Sequence, residues 1–187
     1  MPDDFLGDRR KALEDSFFAK ENRKLLERMR AEREKANAAE ALARQTQIKD
    51  TAVLQKMVEL GIDPATWAAL SLVPLVEMAW ADGEVHSKER EAILAAAAEQ
   101  GISQGSSSHQ LLESWLAQRP DASLFATWGE YSLELASQLT PAEKRALRDD
   151  LSRRARRIAE TAGGFLGIGR VSDAEERVLA ELEKPFA

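Results

Sequence analysis

The stretch Ala79-Trp80-Ala81-Asp82-Gly83-Glu84-Val85-His86-Ser87-Lys88-Glu89-Arg90 decides how the rest of the chain is read. An apolar run leads into it and the alanine-rich segment Ala95-Ala96-Ala97-Ala98 follows it. Asp82-Gly83 is a turn-forming pair, so the stretch reads as a joint between two helices. Its carboxylates, Asp82, Glu84 and Glu89, admit two readings. Hard oxygens gathered in a short segment are the raw material of a Ca²⁺ or Mg²⁺ site. They also suit a plain helix-turn-helix joint, with Asp-Gly ending one helix and Glu89 in the first turn of the next, where the helix dipole favours an anion. The residues alone favour the plain joint.

Working outward, Asp63-Pro64 opens the preceding helix, with Asp63 as N-cap and Pro64 at the first helical position. Trp67, Leu70, Val73, Val76, Met78 and Trp80 leave this segment apolar on nearly all sides, which predicts a central helix kinked at Pro74. Upstream, Asp50 caps a helix that carries Val53, Leu54, Met57 and Val58 and ends at Gly61. Downstream, a helix from about Ser87 to Gln100 ends at Gly101. The serines of 103–108 cap a helix bearing Leu111, Leu112, Trp115 and Leu116. Asp121 caps another through Trp128 and Leu135, with Gly129 inside it. Thr140-Pro141-Ala142-Glu143 is a capping box with Pro at the first position, and its helix runs to about Ala162. Lys144, Arg145, Arg148, Arg153, Arg154, Arg156 and Arg157 make this the basic helix of the chain; a solvated face is the favoured reading, an acidic partner's site the alternative. The glycine-rich 163–169 segment follows a helix and lacks a Gly-Lys-Ser/Thr ending, so it is read as structural rather than phosphate-binding; Phe165 and Leu166 are expected to tuck into the core. Ser172 and Glu175 form another capping box, and the last helix ends before Pro185.

Composition supports an all-α reading. The chain has 187 residues with 31% charged, a single Tyr and no Cys. The missing cysteine removes disulfides, thiolate zinc and Cys nucleophiles together. A net charge of −6 argues against a nucleic-acid binder, whose affinity comes from neutralising phosphates. Through Asp50 there are 12 Lys/Arg against 11 Asp/Glu, so the acidity lies in the remainder. No apolar run approaches the ~20 residues of a membrane span, and the acidic start Met1-Pro2-Asp3-Asp4 does not read as a signal peptide; a cytoplasmic protein is expected. Residues 1–47 read as a helical arm and 48–187 as the main domain. The arm is helical from Asp8 to about Ala43, with Leu13, Phe17, Phe18, Leu25, Leu26 and Met29 on its apolar side. The expectation is that the Phe17/Phe18 end docks on the domain; pairing with a second copy is the alternative.

Two stretches echo each other. Pro64-Ala65 with Ala69-Leu70 matches Pro141-Ala142 with Ala146-Leu147, and Gly83-Glu84-Val85 with Glu89 and Ile93 matches Gly169-Arg170-Val171 with Glu175 and Leu179. This points to two related helical hairpins packed pseudo-symmetrically. At this point the sequence resembles the TerB-like tellurite-resistance domains, related in fold to the N-terminal domain of DjlA-type co-chaperones. Family members carry Ala-x-x-Asp-Gly and then a Glu in each half; here Ala79-Trp80-Ala81-Asp82-Gly83 precedes Glu89, and the second half shows Gly163-Gly164-Phe165-Leu166-Gly167 before Val171, Ser172 and Glu175. The resemblance covers roughly Ile48 to Phe186. It implies an all-helical domain with acidic joints that are candidates for divalent cations, and a role in stress- or metal-linked complexes near the membrane. By position, the acids carried over are Asp82, Glu89 and Glu175. Ile168 stands where a second Asp would be, so the second joint offers less carboxylate. His86 replaces a Ser/Thr-type cap, a duty that could pass to Ser87.

Enzymatic chemistry finds little support. His86 and His109 show no ligand or triad spacing, and Trp67, Trp80, Trp115 and Trp128 sit on apolar faces as core or groove lining. The expectation is a non-catalytic, TerB-like stress-response domain. It would bind Ca²⁺ or Mg²⁺ weakly through Asp82, Glu84 and Glu89, with Glu77 one turn upstream as a fourth acid. Zinc is disfavoured, since His86 is the only nearby imidazole. The partners expected are proteins, membrane-associated ones among them, without nucleic acid and without insertion into a bilayer; a homodimer through the arm is a further option. The alternative is a metal-independent helical protein-interaction module.

Overall fold

The structure, a computed structural model, describes residues 3–46, 48–162 and 171–187, with the side chains of residues 3–16, 18 and 162 left aside. The expectations for the 163–169 glycine segment, for Phe165 and Leu166 and for Ile168 lie outside these residues. All regular elements among the described residues are helical: α1 (Asp3–Thr46), α2 (Thr51–Glu59), a 3₁₀ segment (Trp67–Leu72), α3 (Val73–Ala79), α4 (Ser87–Glu99), α5 (Ser107–Ala117), α6 (Ala122–Ser137), α7 (Pro141–Ala162), α8 (Asp173–Glu183) and a closing 3₁₀ turn (Lys184–Phe186). The all-α class read from composition and periodicity is the class observed.

Helix boundaries follow the polar caps. Asp50 Oδ1 accepts from the N–H groups of Ala52 (2.8 Å) and Val53 (3.3 Å). Ser106 Oγ accepts from His109 N at 3.2 Å, and Asp121 Oδ1 from Ser123 N at 2.8 Å. Thr140 and Glu143 close a reciprocal box. Each satisfies N–H groups that a helix start leaves without a partner. Gly61 and Gly101 follow the ends of α2 and α4 with φ of 78° and 81°, the left-handed geometry that a helix stop needs. Gly129, which weakens the sequence case for a continuous helix, lies inside an unbroken α6.

The central segment differs from expectation. Asp63 does cap its start, accepting from Ala65 N (2.8 Å) and Thr66 N (3.0 Å). There is no single kinked α-helix after it. Trp67–Leu72 winds as 3₁₀ and α3 begins afresh at Val73, with Pro74 in its first turn. Pro74 has no N–H to give to an i−4 carbonyl. The chain accommodates that by putting the proline where helices tolerate it and tightening the turns before it.

Every residue of α3 except Glu77 is buried. The helix is surrounded by α4, α6, α7 and α8. Ile93, Leu112, Leu124, Trp128, Ile158, Leu179 and Leu182 belong to the same core. Two tryptophans are buried, Trp115 and Trp128, the latter stacked on Phe125 with ring centroids 5.5 Å apart. Trp80 is half-buried and donates its indole N–H to the Trp115 carbonyl at 2.9 Å, tying the end of α3 to α5. The two halves suggested by the internal repeat are unequal in form. Pro64-Ala65 precedes a 3₁₀ segment and the seven-residue α3, whereas Pro141-Ala142 opens the 22-residue α7.

The described part of the arm docks near its C-terminal end; Phe18 of the expected Phe17/Phe18 contact lies outside the described side chains. Leu42 is fully buried, and Ala39 and Ala43 pack against the core. The turn into α2 is held from across the bundle, where Glu134 of α6 accepts from the N–H groups of Lys49 (2.7 Å) and Asp50 (3.2 Å). Lys56 of α2 meets Glu130 of α6 at 2.6 Å. Residues 19–37 are exposed throughout, and Phe17 is 61% exposed. Docking is decided by which turns lie beside α2, and those are the last ones. Replacing the exposed Leu25, Leu26 and Met29 by Ala should therefore leave the melting temperature within a few degrees of the parent. Leu42→Ala should cost about 2–5 kcal/mol and lower the midpoint by about 5–15 °C, as thermal unfolding followed by circular dichroism would show.

Candidate functional site

The joint between α3 and α4 is built in a short span. Trp80 N donates to Val76 O and Gly83 N to Trp80 O, closing the end of α3. Gly83 has φ 103°, where a side chain would be strained even though the space around it is open. Asp82 then accepts from Glu84 N at 3.3 Å and faces His86 Nε2 at 3.4 Å. His86 is itself the N-cap residue, in extended geometry, and Ser87 is the first residue of α4. Ser87 therefore does not hold the capping position considered for it; from the third helical position Glu89 Oε2 accepts from His86 N at 2.8 Å.

Glu89 is the unusual group of the joint. It is 3% exposed, whereas Asp82, Glu84 and His86 are exposed. Its pKa is raised from the usual carboxylate range to about 7. Burial is the main cause, and the negative charges of Asp82 and of Glu175 add to it; the His86 N–H and the His86 side chain act in the opposite sense. Glu175 is the counterpart of Glu89 at the start of α8, where it accepts from Ser172 N in its own capping box. The two helix-start glutamates are therefore within electrostatic reach of each other, although 86 positions separate them in sequence.

The other acid proposed from sequence goes elsewhere. Glu77 faces Arg119, 3.9 Å away, rather than the joint. Among the described residues no three Asp, Glu or His side chains lie close enough together to hold a metal ion as they stand. Sequence reasoning also passed over a second polar group. His109 on α5 is 8% exposed, and its Nδ1 lies 3.3 Å from Glu113, near enough for an ion pair but not aligned as a hydrogen bond. Glu113 in turn lies 3.4 Å from Arg90 of α4. The spacing of His109 and Glu113, one helical turn apart, was the available signal.

Comparison with protein-family models, with curated proteins and with solved structures gives no match for this chain.

The Glu89 geometry fixes the sign of a pH effect. A carboxyl whose pKa rises on folding is protonated in the folded chain over a range where the unfolded chain has released its proton. Stability then falls as pH climbs from about 4.5 to about 7 and levels off above. Glu89→Gln keeps an acceptor for His86 N without the charge. It should be close to neutral at pH 4.5 and stabilising by about 1–3 kcal/mol at pH 8, measured by urea unfolding at the two pH values.

Proposed function

We propose that this chain is a non-catalytic, TerB-like stress-response domain that takes up one hard divalent cation weakly, Ca²⁺ or Mg²⁺, at the joint between α3 and α4, and that it acts within protein complexes. The observation that carries the reading is the buried Glu89 carboxyl with the charges of Asp82 and Glu175 directed at it. Such a group is held at a cost in stability near neutral pH. A cation drawn to Asp82, Glu84 and Glu89 would take the place of the proton and offset the repulsion. Small rotations of exposed Asp82 and Glu84 would be needed, since these carboxylates do not already form a preset cage. Their oxygens are too few for the six to eight ligands Ca²⁺ prefers, so backbone carbonyls and water would complete the shell and the affinity would fall in roughly the 10⁻⁴–10⁻³ M range. Glu77, engaged by Arg119, is left out of the set. Family membership rests on the Ala79–Gly83 motif, the two helix-start glutamates and the all-helical class.

A second reading, a metal-independent protein-interaction module, is favoured by α1. Leu25, Leu26 and Met29 are each more than half exposed on a helix whose described contacts with the core lie near its C-terminal end, at Ala39, Leu42 and Ala43. Among the described residues no helix is long and apolar enough to cross a membrane. Self-association through the arm is part of this second reading and is checked by sedimentation of the full chain against a form lacking residues 1–35.

Titration calorimetry separates the two readings. With millimolar Ca²⁺ or Mg²⁺ at pH 7.5, a saturable heat should appear, its size should depend on the ionisation enthalpy of the buffer because Glu89 gives up a proton, and Asp82→Asn should abolish it. No saturable heat for either metal would leave the joint as a structural turn and the arm as the working surface.

A further inference from the structure

Away from the residues of the acidic joint, two adjoining cavities share lining residues and form one cleft. The first has a volume of about 280 Å³. Its walls are aromatic, contributed by Trp67 of the 3₁₀ segment, Trp128 and Tyr131 of α6 and Phe186 of the closing turn, with Leu135 and Leu147 between them. The second, of about 450 Å³, lies between α4 and α7. Its α4 side is the small face Ala92, Ala95 and Ala96; its α7 side presents Arg153, Arg154 and Arg157. Leu75, Gln100, Asp150 and Arg154 line both cavities, so an apolar pit opens onto an arginine shelf.

The charges on the shelf are unequally matched. Asp150 pairs with both Arg153 (3.2 Å) and Arg154 (2.7 Å). Arg157 has no carboxylate partner among the described residues, and Glu99 at the far wall pairs with none of the three. The shelf is thus net cationic on a chain of charge −6. Gln100 stands at the boundary. Its side-chain amide lies 2.7 Å from Ser71 Oγ, whose hydroxyl is also 2.8 Å from the Ala68 carbonyl. Inside the pit, burial pushes the Tyr131 hydroxyl above its usual range and keeps it a neutral donor. A mostly apolar concavity with a few convergent polar groups is the usual form of a small-molecule site.

We propose that this cleft binds a small amphiphilic carboxylate, its planar apolar body in the pit among Trp67, Trp128 and Phe186 and its carboxylate on Arg154 and Arg157. The occupant follows from shape and charge together. The aromatic walls favour a flat body that stacks, and guanidinium forks favour a planar anion. A partner helix is not the fit, because helix recognition needs a run of anchors at i, i+3 or i+4 and i+7 along an extended groove, and here a single pit ends in a charged shelf. None of the residues involved belongs to the Asp82–Glu89 joint, so this site stands or falls independently of the cation proposal.

The test uses the full chain, naphthalene-2-carboxylate as ligand and its neutral carboxamide as control, by isothermal titration calorimetry. The carboxylate should bind saturably and about tenfold or more tightly than the carboxamide. Arg157→Gln should bring the carboxylate down to the level of the carboxamide and leave the carboxamide unchanged. Arg157 is exposed and has no carboxylate partner among the described residues, so its replacement does not put the fold at risk; an unaltered melting temperature confirms it. Leu135→Trp, which fills the pit, should remove binding of both compounds while Arg157→Gln removes only the charge preference. No saturable binding of the carboxylate, equal affinity for the two compounds, or indifference to Arg157→Gln would each overturn the proposal.

Discussion

Burial of a helix too short to stand alone is the constraint on which the bundle depends. Seven residues fall well below the length at which an isolated helix holds in water, yet α3 keeps its form because six of its residues are enclosed by four other helices. Its helicity is a product of packing, not of propensity. Pro74 makes the point physically, since its ring can sit only in the first turn, and the segment before it is left to wind as 3₁₀. The register of Leu75, Val76 and Met78 against the surrounding helices follows from where the proline allows the helix to begin.

The same enclosure sets the chemistry at the end of α3. Gly83 turns the chain sharply and α4 must start close to the core, so its N-terminal glutamate is drawn out of water along with the turn. At an exposed helix start a glutamate at the third position is stabilising, because it accepts from the cap N–H and meets the positive end of the helix dipole. At Glu89 the hydrogen bond to His86 is kept, but loss of solvent outweighs it and the pKa rises. Glu143 shows the other outcome. It too is a helix-start acid bonded to its cap residue, but it is exposed, and its pKa is lowered by the Thr140 hydroxyl and N–H. Two residues with one local role differ in their protonation because one is buried and the other is not. The stability lost at Glu89 near neutral pH makes the joint responsive to a proton.

Charge is also divided among the helices. Carboxylates gather where α4 and α8 start, and guanidiniums gather along α7 beside the alanine face of α4. The small side chains Ala92, Ala95 and Ala96 do not draw the helices into full contact at this point; with the arginines of α7 they leave a cavity. Close packing elsewhere in the core, where Ala97 and Ala155 are fully buried, shows that the alanines of these helices differ by face. The cleft is a consequence of which turns of α4 and α7 touch.

Much of the secondary structure was legible in the order of residues because it is local. Asp50, Ser106, Asp121, Thr140 and Ser172 announce their helices, since a cap works over three or four residues and needs nothing from the rest of the fold. Gly61 and Gly101 announce the ends for the same reason. The arm was legible as a helix but not in its docking, because an apolar stripe says which side could be buried and not which turns have a neighbour; Leu42 has α2 beside it and Leu25 does not. The joint was legible as Asp82, Gly83 and Glu89, while the approach of Glu175 and the diversion of Glu77 to Arg119 were not. Sequence alone determined where the capped helices α2, α5, α6, α7 and α8 begin and what charge they carry, whereas the start of α3 came from its packing. Tertiary structure alone decided which carboxyl lost its water and which arginines came to face an aromatic pit, because burial and electrostatic reach depend on distances through space that a linear chain does not state.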